Sequence, residues 1–144
     1  MPYVRVWIHY VWATKRRRPV ITNRIKKRLI EHIRSNAKLK DIHLNEIDGD
    51  KDHLHLLISL GTSQTISKVA HLLKGESSNW INKNKMTEER FEWQEDYFAV
   101  SVSESNYKIV KRYIQNQERH HKKNSFAIEY QDFLDNYRFL KELG

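Results

Sequence analysis

Residues 41–60 read DIHLNEIDGDKDHLHLLISL, which is two short apolar runs around a polar segment. The runs occupy residues 41–47 and 53–60, and Asp48-Gly49-Asp50-Lys51 lies between them. An Asp-Gly pair between two such runs is a strong signal for a tight hairpin. The stretch therefore predicts two antiparallel strands joined by a turn at residues 48–51.

Segments of both kinds of secondary structure flank this hairpin. Residues 3–12 are β-branched and aromatic with partial alternation, which predicts a strand that is largely buried on both faces. Apolar residues recur at helical spacing from Thr22 to Lys38 and again from Ser63 to Asn82, and Thr22 or Asn23 can cap the first of these helices. A further strand is predicted around Tyr97–Val102.

Two more helices are predicted after the last strand. Ser105 can cap a helix that continues to about His121, and aromatic and aliphatic residues mark a second helix over Ser125–Leu140. The resulting order is β-α-β-β-α-β-α-α, and its first six elements follow the split βαβ pattern of ferredoxin-like and RRM-like proteins. The predicted fold class is therefore α+β, with an antiparallel sheet and helices packed on it.

Length and composition limit the kind of protein. The 144 residues suit a single domain, so one domain over residues 1–144 is expected to carry all of the chemistry. The sequence contains no cysteine, which leaves nitrogen and oxygen atoms as the ligands for any metal. Neither a signal peptide nor a membrane-spanning run is present, so a cytoplasmic protein with no membrane partner is expected.

The charge balance favours a polyanionic partner. Lysine and arginine number 26 against 18 acidic residues, a formal net charge of +8. The basic residues cluster at residues 15–18, 24–28 and 120–123. Nucleic acid is the leading candidate for such a protein, and a solvated surface that keeps the chain soluble is the alternative.

The most informative chemistry is His53-Leu54-His55 in the second strand of the hairpin. Side chains alternate between the faces of a strand, so both imidazoles point to one face, roughly 6.5 Å apart at their Cα atoms. Neutral imidazole binds divalent transition metals well, and two such groups can share one ion. The alternative is a half-buried strand whose histidines bind backbone or water.

A second pair lies on the helix after Ser105. Tyr113 and Gln117 are four residues apart, which places both on one helical face, so that they can act together. Ile109, Val110 and Ile114 lie near the same stripe, so the alternative is that Tyr113 is an ordinary core aromatic, and this pair alone favours that alternative.

Taken together, the two pairs resemble the single-tyrosine HUH transposases, the enzymes of the smallest bacterial insertion sequences and of REP-associated elements. The two histidines of that family's HUH motif correspond to His53 and His55, and its tyrosine followed four residues later by glutamine corresponds to Tyr113 and Gln117. Three more stretches are similar. They are Tyr10 to Arg17, Ser67 to Gly75 and Trp93 to Tyr97.

The resemblance implies a site and a reaction. His53, His55 and Gln117 would bind a divalent metal, either Mg²⁺ or Mn²⁺, and Tyr113 would be the nucleophile. The product would be a 5′-phosphotyrosine and a free 3′-hydroxyl, so strand rejoining would need no nucleotide cofactor. The substrate would be single-stranded DNA with a hairpin, and the protein would act as a homodimer with HUH endonuclease architecture.

DNA contacts are expected from the clustered basic residues. The candidates are Lys15, Arg16, Arg17, Arg18, Lys122 and Lys123. His120 and His121 are either metal or phosphate contacts or, alternatively, solvated residues at a helix end. Two other functions remain open on the sequence. One is a non-catalytic nucleic-acid-binding module, and the other is a metal-dependent phosphodiesterase that uses water as its nucleophile.

Overall fold

The computed structural model describes residues 2–117 together with Asp132 and Asp135. The strands are β1 (Trp7–Ala13), β2 (His43–Asp50), β3 (His53–Ser59) and β4 (Phe98–Val102), and the helices are α1 (Asn23–Leu39), α2 (Ile66–Lys83) and α3 (Tyr107–Gln115). The helix predicted over residues 125–140 lies outside the described residues, apart from Asp132 and Asp135, which are helical.

The four strands form one antiparallel sheet in the order β2-β3-β1-β4. This order places the first and third strands at the centre, as the split βαβ pattern requires, and it confirms the predicted α+β fold class. β1 begins four residues later than predicted, at Trp7, and six of its seven residues are buried. Since β1 is central and both of its faces are covered, the predicted burial on both faces is confirmed.

The turn between β2 and β3 is not where the Asp-Gly pair predicts it. Gly49 lies inside β2 opposite Leu54, and the chain turns at Lys51 and Asp52. A Cβ on Gly49 would lie 2.2 Å from the carbonyl oxygen of His53 and 2.9 Å from Cα of Leu54. The glycine is therefore needed for the close approach of two strands. The predicted antiparallel pair is confirmed, but its turn lies at residues 51–52 instead of 48–51.

The main core lies between the sheet and the helices α1 and α2. Its sheet side is formed by alternate residues of the two central strands, namely Ile8, Tyr10, Trp12, Leu54, Leu56 and Ile58. Helices α1 and α2 each begin with a threonine cap. The Thr22 side chain accepts a hydrogen bond from the backbone N–H of Ile25, and the Thr65 side chain accepts one from the backbone N–H of Lys68. This core leaves the opposite face of the sheet to carry the two histidines.

Helix α3 packs on that opposite face. Val110 and Ile114 are buried against Leu57 of β3 and Val102 of β4, with Tyr113 at the edge of the cluster. The helix follows a 3-10 turn at Glu104–Asn106 and ends at its cap residue Asn116, whose φ of −104° and ψ of 25° are not helical. The helix predicted from Ser105 to about His121 is therefore interrupted at Asn116, and residues 118–121 lie outside the described residues. In the described part of the chain, no helix has the length and apolar character to cross a membrane.

Candidate active site

His53 and His55 stand next to each other on the face of β3 that α3 covers. Both are almost fully buried, with exposed fractions of 0% and 3%. Their rings lie 5.0 Å apart between centroids and meet at 73°. The prediction that alternation puts both imidazoles on one face is confirmed, because the intervening Leu54 points into the main core.

Asp52 contacts the first of these histidines. Its carboxylate oxygen Oδ1 lies 2.8 Å from Nδ1 of His53, which places the proton of a neutral imidazole on Nδ1. The buried Nε2 is then the nitrogen with a lone pair for a metal. A carboxylate behind a ligating histidine is a common arrangement in metal sites. Asp52 was not among the predicted site residues.

His9 of β1 contacts the second histidine, and sequence reasoning missed it entirely. Its Nε2 lies 3.0 Å from Nδ1 of His55, and the two rings are stacked with centroids 5.2 Å apart. His9 has no exposed surface, and burial lowers its pKa to about 3, so the ring is neutral. The missing signal was strand pairing, since His9 and His55 are 46 positions apart in sequence.

Tyr113 and Gln117 come to the site from α3 and the residues after it. The Tyr113 ring is half-buried, and its centroid lies 5.7 Å from that of His55 at an angle of 76°. Gln117 is fully buried, and its amide nitrogen donates to the backbone carbonyl of Tyr113 at 3.2 Å. The structure thus brings Tyr113 beside the histidine pair and ties Gln117 to Tyr113 in spite of the break at Asn116.

Two aspartates of β2 are the register partners of the histidines. Asp48 lies opposite His55 and Asp50 lies opposite His53 in the strand register. The Asp48 carboxylate is also 3.5 Å from the ammonium group of Lys26, a largely buried side chain of α1. Within residues 2–117, Asp132 and Asp135, no group of three or more histidine, cysteine, aspartate or glutamate side chains is suited to hold a metal ion.

The candidate DNA-contact residues Lys15, Arg16, Arg17 and Arg18 form an exposed segment, here called the basic loop, directly after β1. The loop starts next to the site, because the backbone N–H of Thr14 donates to the carbonyl of Asp52 at 2.8 Å. Arg16 and Arg17 adopt left-handed backbone angles, with φ of 59° and 52°. The other four candidates, Lys122 and Lys123 with His120 and His121, lie outside the described residues.

Two glutamates pair with the basic loop. The Lys15 ammonium lies 2.7 Å from the Glu92 carboxylate, and the guanidinium of Arg18 pairs with Glu89. The hydrogen bond from Lys15 lowers the pKa of Glu92, which keeps that carboxylate charged. Part of the loop's positive charge is therefore balanced locally.

The chain is similar to known proteins in sequence and in fold. The family described as IS200-like transposase matches residues 3–117. The ISDra2 transposase TnpA of Deinococcus radiodurans is 25% identical over an alignment of 114 residues, and the match covers 76% of this chain and 81% of that protein.

Two solved structures have the same fold. A transposase crystal structure from Deinococcus radiodurans matches with a TM-score of 0.66 at 25% identity, over 81% of this chain and 95% of the other. A REP-associated tyrosine transposase bound to a REP hairpin matches with a TM-score of 0.64 at 14% identity, over 84% of this chain and 72% of the other, a likeness of fold alone. The resemblance seen in the sequence is thus confirmed, and the chain belongs to the family of IS200-like transposases.

Proposed function

We propose that this transposase cuts single-stranded DNA with Tyr113 as its nucleophile, in a reaction that depends on a divalent metal. The observation that carries the proposal is the position of the Tyr113 ring, 5.7 Å from the ring of His55 and on the same side of the sheet as His53. A core tyrosine would need no pair of buried histidines beside it. A tyrosine nucleophile in a metal-assisted phosphoryl transfer needs metal ligands beside it, and a pair of histidines can supply them.

The donor set suits a divalent cation of the Mg²⁺ or Mn²⁺ kind. His53 and His55 would bind it through Nε2, because Nδ1 of each ring is already in contact with Asp52 or His9. Gln117 would add its amide oxygen, since its nitrogen donates to the carbonyl of Tyr113. When bound, the cation would polarise a phosphate oxygen and balance the charge that develops in the transition state.

The bond changes at Tyr113 follow from phosphoryl-transfer chemistry. The phenolic oxygen attacks phosphorus and loses its proton to a base or water, because a tyrosine of ordinary pKa near 10 is protonated at neutral pH. The new bond joins the tyrosine oxygen to the phosphorus of the 5′-phosphate. The bond between phosphorus and the 3′-oxygen breaks, and the departing oxygen takes a proton from water to become a free 3′-hydroxyl. A 3′-hydroxyl can later attack the phosphotyrosine and restore the phosphodiester, so no ATP is consumed.

The DNA substrate is proposed to be a single strand with a hairpin near the cleavage site. One structural neighbour is bound to a REP hairpin, and the net charge of +8 favours phosphate binding. The basic loop follows Thr14, whose backbone N–H donates to the carbonyl of Asp52, and this supports the proposal that the loop contacts the DNA backbone close to the reacting phosphate. The functional unit is proposed to be a homodimer of single-domain chains.

The nucleophile is tested on a denaturing gel with end-labelled single-stranded DNA. Wild-type protein should give a covalent protein–DNA adduct, and Tyr113→Phe should give none while it binds the hairpin and melts normally. Tyr107→Phe is the matched control, because Tyr107 is also on α3 and packs against Trp7 at 4.7 Å between ring centroids. Cleavage without an adduct would indicate a water-using phosphodiesterase. Binding without cleavage would indicate a non-catalytic module.

The metal ligands are tested in the same assay. His53→Ala and His55→Ala should each abolish cleavage and leave hairpin binding largely intact, because each removes one ligand but no phosphate contact. His43→Ala is the control, since His43 is an exposed histidine of the neighbouring strand β2. Normal metal-dependent cleavage by both His53→Ala and His55→Ala would refute the proposed site.

A further inference from the structure

His9 is held firmly against His55 from the adjacent strand. It lies in the central strand β1, opposite Leu57 of β3 and Val100 of β4. Its ring has no exposed surface, stacks on the His55 ring and meets the edge of Phe98 at 84°. The reaction proposed above assigns no role to His9.

The 3.0 Å contact between His9 and His55 has two possible proton arrangements. A neutral imidazole carries one N–H, so either Nδ1–H of His55 donates to Nε2 of His9 or the reverse. In the first arrangement, Nε2 of His55 keeps its lone pair and can bind a metal. In the second, Nε2 of His55 carries the proton and cannot bind one.

We propose that His9 is a positioning residue, which accepts a hydrogen bond from Nδ1 of His55 and so keeps Nε2 of His55 available as a metal ligand. The inference rests on the proposed function, because it assumes a divalent cation at His53 and His55. Each histidine then has its own supporting acceptor, the Asp52 carboxylate for His53 and the His9 imidazole for His55. Such partners fix the tautomer and the ring orientation of a ligating histidine.

The burial of His9 explains why the acceptor at this position is a neutral group. An aspartate in place of His9 would bring a charge into a fully buried position, whereas an imidazole accepts the same hydrogen bond as a neutral group. Asp52 can be a carboxylate because it is partly exposed, with 23% of its side chain accessible. The partly exposed support, Asp52, is therefore a charged carboxylate, and the fully buried support, His9, is a neutral imidazole.

The test compares His9→Leu with His9→Gln. Leucine fills much of the ring's space but accepts no hydrogen bond, whereas the glutamine side-chain oxygen can replace the Nε2 acceptor. Mn²⁺ affinity is measured without DNA, from the loss of the free-ion EPR signal. His9→Leu should weaken Mn²⁺ binding by about 10- to 100-fold, the usual effect of losing a supporting partner, and His9→Gln should restore most of the affinity.

A second measurement needs no variant at His9. Long-range ¹H–¹⁵N spectra of metal-free wild-type protein, recorded above the ordinary histidine pKa, report which ring nitrogen of His55 carries the proton. The His55 signals are assigned by their absence in His55→Ala. The inference expects the Nδ1–H tautomer, and this result holds even if His9→Leu does not fold.

The outcomes separate the two hypotheses. If wild-type protein binds Mn²⁺ and His53→Ala does not, but His9→Leu binds as tightly as wild type, the role of His9 is overturned and the metal site stands. An Nε2–H tautomer of His55 also overturns it. If wild type shows no Mn²⁺ binding that depends on His53, the proposed metal site fails, and the role of His9 fails with it.

Discussion

Helix α3 should depend on one buried side chain for its place over the histidines. The helix has nine residues, which is too short to be stable in water without tertiary packing. Its buried residues are Val110 and Ile114, and Ile114 has no exposed surface. The substitution Ile114→Ala removes three buried carbon groups, worth about 0.8 kcal/mol each, or about 2.4 kcal/mol before any cavity term. At 1.4 kcal/mol per factor of ten, the docking equilibrium of α3 should fall about fifty-fold.

The assay is amide hydrogen exchange, followed for each residue at low denaturant. In Ile114→Ala the amides of α3 should exchange about fifty-fold faster, while those of β1 and β3 keep most of their protection. The matched control is Ile81→Ala, the same substitution at a fully buried residue of α2 in the main core. This control should lower global stability but should not selectively expose α3. Adduct formation should fall with α3 protection, because α3 carries Tyr113.

The reasoning would be refuted by α3 amides that exchange equally fast in Ile114→Ala and in wild type. It would also be refuted if Ile81→Ala exposed α3 as selectively as Ile114→Ala does. Either result would mean that the Ile114 contacts do not hold α3 on the sheet.

Three further predictions test the strand contact, the basic loop and the metal. Gly49→Ala should lower the free energy of unfolding by about 1–3 kcal/mol in urea denaturation, because its Cβ would overlap the His53 carbonyl, whereas Gly75→Ala, with no atom within 4 Å, should be neutral or stabilising. Glu92→Gln should tighten DNA binding, because it releases the Lys15 ammonium group for a phosphate contact, and the slope of log K against log salt concentration should steepen by about one unit. Glu104→Gln is the control and should change neither quantity, because Glu104 pairs with Arg5 outside the basic loop. Mn²⁺ at about a hundred times its Kd should raise the free energy of unfolding of the wild-type protein by about 2.7 kcal/mol, and it should not stabilise His53→Ala. The measurement is the melting temperature of each protein with Mn²⁺ and with EDTA.

Local periodicity was enough to predict most of the strands and helices and the placement of His53 and His55 on one face of β3. The alternation of residues 53–60 places His53 and His55 on one face whatever the rest of the chain does, because the period of two is a property of the strand itself. Helical spacing of apolar residues predicts α1 and α2 for the same reason, and the strand–helix order predicts the split βαβ sheet. These features depend on neighbours in sequence, so sequence alone determined them.

Contacts between distant segments decided the rest. The hydrogen bond between His9 and His55, the close approach at Gly49 and the pairing of Lys15 with Glu92 all join residues brought together by tertiary structure. The Asp-Gly pair had a strong local preference for a turn, but the packing of β2 on β3 used the glycine inside a strand. The face of the sheet that α3 covers was likewise set by burial of Ile114 against Leu57, a free energy gained only in the folded chain and invisible to any local pattern.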